Sequence, residues 1–167
     1  ARIESGQFEL TQTEVPCKEL LQELTVPYRE ICRAKGQSLS FLCSEGLRLR
    51  TDRTLLIEVL ENLLSNAVKY TPSGGQILLK AEHMEGSVRI DVQDTGIGIP
   101  KQFLGKIFDR FFRVENAVHT VRGTGLGLHL VKVAIEKHHG GRVMVDSDEG
   151  KGSTFGFRLY LDAATAP

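Results

Sequence analysis

The stretch Asn62–Tyr70 reads NLLSNAVKY, and two glycine-rich stretches come after it: Asp94–Pro100, DTGIGIP, and Gly123–Leu128, GTGLGL. The first belongs to a helix. Leu55, Leu56, Val59, Leu60, Leu63, Leu64 and Ala67 recur at helical spacing and form an apolar stripe. Asp52 just before them is a good N-cap, because its carboxylate can accept from free amides of the first turn. Thr71-Pro72-Ser73-Gly74-Gly75 is a breaker run that ends the helix near Tyr70.

Asn62, Asn66, Lys69 and Tyr70 stand at i, i+4, i+7 and i+8. At about 3.6 residues per turn they share one face. That face borders the apolar stripe and is expected to look into a cleft. A carboxamide oxygen is a neutral ligand for a hard cation that also binds phosphates, as magnesium does, and a lysine adds a mobile positive charge. Taken alone, the same face reads equally well as a solvated polar surface.

Asp94 closes a strand whose alternation (Val88, Ile90, Val92) is clean. A carboxylate there can accept from an exocyclic amine such as adenine carries, and Gly96 and Gly98 let backbone approach a flat ring. Alone, Asp-Thr-Gly is ordinary turn chemistry. Gly123, Thr124, Gly125, Leu126, Gly127 and Leu128 open a further helix, whose free amides and dipole suit an anion. No strand leads directly into it, and the GK[ST] of a P-loop is missing, so a dinucleotide site is disfavoured. In this order the three pieces describe a pocket with a purine at one end and a magnesium-bound triphosphate at the other. Between the last two runs lies Phe108-Asp109-Arg110-Phe111-Phe112-Arg113. Its aromatics read best as an anchor for the loop, and Arg113 as a phosphate contact.

The rest of the chain fixes the architecture. Helical spacing of Leu20, Leu21, Leu24, Tyr28 and Ile31 predicts a helix over 17–34, kinked or divided at Pro27. Strands are predicted at 38–43, 46–50, 76–83, 87–93, 141–146 and 153–161, and a helix at 125–139 closed by Gly140 or Gly141. Residues 1–15 read as the tail of a helix and an extended connector, and residues 163–167 as a frayed tail. Hairpin-length links favour a mixed, largely antiparallel sheet with helices on one face over a Rossmann fold.

Composition narrows the classes. The 167 residues hold 41% apolar and 25% charged residues, with 21 basic and 21 acidic side chains. Zero net charge gives no nucleic-acid or membrane footprint, and no apolar run reaches the ~20 residues of a membrane helix. Cys17, Cys32 and Cys43 lack CxxC spacing and read as free thiols in a reducing compartment. His138 and His139 read as a helix end, and no nucleophilic triad can be assembled. The chain opens on Ala, without a signal peptide, as part of something longer would.

These motifs, ENLLSNAVKYTP, DTGIGIP, IFDRFFRV, GTGLGLHLVK and the closing GGRVMVDSDEGKGSTFGFRLYL, resemble in order the catalytic and ATP-binding domain of two-component sensor histidine kinases, a branch of the Bergerat-type superfamily. The resemblance covers about residues 15–162. Residues 1–14, which open ARIESGQFEL, are similar to the outgoing end of a dimerisation helix. The resemblance implies an α/β two-layer sandwich of about five strands against three helices, with a mobile ATP lid. It implies Asn66 as principal magnesium ligand with Asn62 assisting, Lys69 and Arg113 on the phosphates, and Tyr70 bordering the nucleotide. Asp94 would take the adenine amine, with Gly96, Gly98 and Ile99 shaping the base pocket and Thr154 reaching the base edge. Gly123 to Leu128 would bind phosphate and hinge the lid.

Hydrolases of the superfamily carry Glu where this chain has Asn62, which is no general base. Glu61 lies about 100° around the helix. The resemblance therefore implies phosphoryl transfer to a histidine, in the cytoplasm, with a dimerisation domain and a response regulator as partners. The parent would be a homodimer and this fragment a monomer. None of His83, His119, His129, His138 or His139 has the acceptor context, so the chain itself is not expected to autophosphorylate. His129 stands where the family commonly has a small residue.

Overall fold

The computed structural model describes residues 9–113 and 127–161. Along the chain run β1 (Gln12–Pro16), α1 (Cys17–Ala34), β2 (Ser38–Cys43), β3 (Arg48–Asp52), α2 (Arg53–Tyr70), β4 (Gln76–Met84) and β5 (Ser87–Asp94). A 3-10 turn (Lys101–Phe103) comes next, then α3 (Gly127–Lys132), which widens into a π-helical turn (Val133–His138), then β6 (Arg142–Asp148) and β7 (Gly152–Tyr160).

The main sheet has five strands in the order β2-β4-β5-β7-β6. Only β2 and β4 are parallel; the other three pairings are antiparallel. This is the mixed, largely antiparallel sheet expected. Its inner face (Ile77, Leu79, Val88, Ile90, Val92, Phe155, Phe157, Leu159) joins the stripes of the helices in one core. Leu55, Leu60 and Leu64 of α2 are fully buried there. Truncating a buried leucine of this kind costs about 2–5 kcal/mol.

Three local outcomes depart from the sequence reading. α1 runs unbroken through Pro27. The carbonyl that this proline leaves without a donor belongs to Glu23, and both residues are on the exposed side, where water can serve it. The extended connector is a strand: β1 pairs with β3 in a separate two-stranded ribbon, Val15 opposite Leu49. The boundary expected at residue 14 falls inside it. The strand expected at 46–50 lies two residues later, so that Asp52 ends β3 and caps α2. Its Oδ1 accepts from Leu55 N at 3.1 Å and its Oδ2 from Thr11 N at 3.0 Å.

Gly140 (φ 62°) closes the π-helical turn, and Gly141 N donates to Ile135 O at 2.8 Å, the αL cap expected there. The three cysteines are free thiols; burial pushes Cys17 up to about 12. Among the described residues, no helix is long and apolar enough to cross a membrane. The tail 163–167 and most of the expected lid, residues 114–126, lie outside the described residues.

Candidate active site

Helix α2 supplies the first wall. Asn62 and Asn66 are half-buried and Lys69 is exposed, one above another along the face that borders the stripe. Asn62 Nδ2 donates to Glu58 O at 2.9 Å. That bond fixes the amide and leaves Oδ1 as the outward group. The start of α3 comes to meet it: a Cβ on Gly127 would stand 3.1 Å from Asn62 Oδ1. Leu128, next along α3, is half-buried and packs on the core. Glu61 is exposed, and its carbonyl accepts from Tyr28 Oη at 3.4 Å.

The second wall is the turn after β5. Ile97 N donates to Tyr70 O at 3.2 Å, which ties this turn to the last residue of α2. Gly96 is buried under that carbonyl; a Cβ there would lie 2.5 Å from Tyr70 O and 2.8 Å from Asp94 Oδ1. Gly98 has φ 70°, and a Cβ there would strike Asp148 O at 2.0 Å. Both glycines are therefore required by close approach. Asp94 Oδ1 accepts from Gly96 N at 2.9 Å and Ser153 N at 3.2 Å. Burial nonetheless pushes the Asp94 carboxyl above its ordinary value of 3.8, the two N–H donors opposing the shift.

The hairpin between β6 and β7 backs this turn. Gly150 N donates to Ile97 O at 2.7 Å, and Ile99 N donates to Ser147 Oγ at 2.8 Å. Ile99 is half-buried against the core.

Thr154 stands one position past Ser153, the ladder partner of Asp94. Strand residues alternate between faces, and β7 sends Phe155, Phe157 and Leu159 inward. Thr154 thus points to the outer face, paired with Gln93 and Asp146, in a concavity of about 600 Å³ that Leu78 and Ser40 also line. Asp94, Ser147 and Ser153 line that concavity as well, whereas Asn62 and Gly127 do not. The residue beside Asp94 is Ser153, one position earlier. Ser147 and Ser153 are neighbours of the Asp94 turn that the sequence reading did not single out.

Phe108 packs edge-on to Phe155 at 6.2 Å, and Phe103 tilts against Phe112 at 5.9 Å, as an anchor would. Phe111 differs: it is 62% exposed with φ 64°. Arg113 is exposed at the end of the described segment. His129 is accommodated by a 3.3 Å contact from Nδ1 to Phe108 O. Gly123, Thr124, Gly125 and Leu126 lie outside the described residues.

An adenine nucleotide fits these walls. A half-buried carboxylate has one oxygen held by two backbone donors, and two glycine positions leave room where side chains would collide. The outward carboxamide oxygen of Asn62 beside Gly127 suits a hard cation in its neutral-oxygen chemistry. Among the described residues no cluster of three His, Cys, Asp or Glu side chains could hold a metal instead.

Comparison with known proteins agrees. Residues 51–164, more than half of the chain, match the family described as "Histidine kinase-, DNA gyrase B-, and HSP90-like ATPase". Sensor histidine kinase WalK of Bacillus subtilis is 43% identical over 131 residues, which are 75% of this chain and 21% of WalK. The catalytic domain of histidine kinase ThkA superposes with a TM-score of 0.80 at 34% identity, covering 90% of this chain and 96% of that one. A second ThkA structure, in complex with response regulator protein TrrA, gives 0.78 at 30% identity over 98% of this chain and 46% of that one. Full-length ShkA in complex with AMPPNP gives 0.84 at 30% identity over 99% of this chain and 35% of that one. The chain spans about a fifth of the length of the curated relatives it matches. It belongs to the histidine kinase-, DNA gyrase B- and HSP90-like ATPase family, with the fold of a sensor histidine kinase's ATP-binding catalytic domain.

Proposed function

We propose that this domain binds ATP with magnesium and presents the γ-phosphoryl group to a histidine on a separate dimerisation domain of its parent protein. The observation that carries the reading is the meeting of Asn62 Oδ1 with Gly127. It sets the amide-bearing face of α2 against the start of a helix, where a triphosphate and its cation would lie.

Asn66 and Asn62 would hold magnesium through their carboxamide oxygens. Lys69 and Arg113 would contact the phosphates, and Tyr70 would border the nucleotide. Asp94 would accept from the adenine amine, with Gly96, Gly98 and Ile99 shaping the pocket and Ser153 replacing Thr154 beside it. The stretch Gly123–Leu128 would cradle phosphate with free amides and hinge the lid. When bound, magnesium supplies charge neutralisation and a template for in-line displacement. The chain's part is to position and to exclude alternatives. Asn62 holds its amide on Glu58 O and offers no base to a water. Glu61 is exposed and stands about 100° around the helix from Asn62. Both features favour transfer over hydrolysis.

The parent protein would be a homodimeric, cytoplasmically acting kinase whose phosphohistidine serves a response regulator. The relatives named above and the ThkA–TrrA complex support this. The domain proper would end near residue 162, with the segment before β1 leading out of the dimerisation helix.

The test is to mix the chain with ATP, magnesium and separately produced dimerisation domains from several relatives. Acid-labile, base-stable phosphate on an acceptor is the expected product. ADP and free phosphate accumulating without acceptor would make the domain a hydrolase. Nucleotide binding with neither product across the panel would make it an interaction module.

A further inference from the structure

We infer that Ser147 is a positioning residue for adenine recognition, acting on Asp94 from the far side of the β6–β7 hairpin. This deepens the proposed reading of Asp94 and rests on it.

Ser147 is 5% exposed and its hydroxyl has three partners: Ile99 N at 2.8 Å, Gly152 O at 3.0 Å and Ser153 Oγ at 2.7 Å. A hydroxyl offers one hydrogen and two lone pairs. Gly152 O is a carbonyl and can only accept, so it takes the hydrogen of Ser147. Ile99 N can only donate. The remaining lone pair must then accept from Ser153, whose hydroxyl becomes the donor. All three capacities of Ser147 are filled, and its rotor is fixed.

This saturation closes a ring around the glycine turn. Ser147 anchors the exit of the turn at Ile99. It also anchors Ser153, whose N–H holds Asp94 Oδ1 at the entrance of the turn. Asp94 and Ile99 are thus tied to the same hairpin, and Gly150 N adds a third tie at Ile97 O. The glycines seal the arrangement. A Cβ on Gly152 would lie 2.0 Å from Asp94 O, so the hairpin rests directly on the backbone that carries the carboxylate.

Removing the Ser147 hydroxyl takes from Ile99 N and Gly152 O the partner it supplied and frees Ser153 Oγ to rotate. The exit of the turn then loses its side-chain tie to the hairpin at Ile99, and the Asp94 carboxylate at the entrance loses part of its positioning. The hydrogen bonds of the Ser147 hydroxyl all lie within this turn and hairpin, so the loss should be confined to the base.

The experiment measures competition of ATP and inosine triphosphate, which replaces the amine with a carbonyl, against a fluorescent ATP analogue on the full chain. Wild type, Ser147→Ala, Ser147→Thr, Asp94→Asn and Ser147→Ala/Asp94→Asn are compared, with Tm measured for each. The expected result for Ser147→Ala is a roughly tenfold fall in ATP affinity, the scale of one buried hydrogen bond left unmade. Affinity for inosine triphosphate should barely change, so the ratio of the two affinities should collapse. Ser147→Thr, which keeps the oxygen, should restore at least part of the ratio. The double variant should lose less than the product of the single losses, because both act through one network. An unchanged ratio in Ser147→Ala overturns the inference, and so does an equal loss for both nucleotides with a lowered Tm, which would mark a structural role. If Asp94→Asn itself leaves the ratio intact, the adenine reading of Asp94 fails. If Asp94→Asn collapses the ratio and Ser147→Ala does not, only the Ser147 inference fails.

Discussion

Gly127 stands so close to Asn62 that a single methyl group would approach the carboxamide oxygen to 3.1 Å. That is tighter than ordinary van der Waals contact, and the oxygen cannot simply rotate away because Nδ2 is held on Glu58 O. Gly127→Ala should therefore displace either the amide or the start of α3. Misplacing groups at a phosphoryl-transfer site by fractions of an ångström is costly, and we expect transfer to a supplied acceptor to slow by about tenfold or more. Gly105→Ala is the control: among the described residues nothing lies within 4 Å of its added carbon, and its rate should match wild type.

Asn66→Ala should abolish magnesium-dependent phosphotransfer while leaving the fold intact. Asn66 is half-buried on the same face as Asn62, and its replacement opens no core cavity. Magnesium titration of transfer, with circular dichroism as the folding check, reads the outcome. Undiminished transfer would remove Asn66 from the mechanism.

Asp94 links nucleotide affinity to pH. Burial raises its carboxyl above 3.8, and with Oδ1 held by two N–H donors the amine needs an unprotonated Oδ2 to accept it. Affinity for ATP should hold at neutral pH and decline on acidification, starting at a higher pH than an ordinary carboxyl would give. Stability runs the other way. A folded-state value above the unfolded one means the protonated form is favoured by folding. That contribution is present below the unfolded value and lost as pH rises through the folded one. Asp94→Asn keeps an oxygen for Gly96 N and Ser153 N without the half-buried charge. It should lose ATP affinity yet unfold at a higher temperature than wild type at neutral pH, a measurable exchange of stability for function.

Asp52→Ala should act on stability alone. Its two oxygens serve Leu55 N in the first turn of α2 and Thr11 N before β1. Losing an N-cap and a second buried acceptor together costs about 2 kcal/mol. Denaturant melts should show that loss. ATP affinity should not move, because the cap lies at the opposite end of α2 from Lys69 and Tyr70.

How far the chain was legible depends on how local each signal is. The α2 helix could be read because its cap, stripe and breaker run all lie within about twenty residues of one another. β1 could not, because Gln12, Thr13 and Glu14 are exposed and polar, and their partners Asp52, Thr51 and Arg50 lie some forty positions away. For Thr154 and Ser153 the difficulty is of a different kind. Strand side chains alternate, so an error of one residue exchanges the two faces of a sheet. Ser147 gave no signal at all, since a serine near an Asp-Glu-Gly-Lys-Gly turn looks like turn chemistry until Ile99 is seen against it. Pro27 misled because a local rule was applied where the affected carbonyl faces water.

The hydrogen-bonded ring that ties Asp94, Ile99, Ser147 and Ser153 together is complete in the protein alone. A ligand's base therefore meets a finished surface and freezes few of the protein's rotamers on arrival. Association at that end forfeits little conformational entropy. An amine-bearing bicycle much smaller than a nucleotide should consequently keep a disproportionate share of the affinity per atom, and would be the natural first fragment from which to grow an inhibitor.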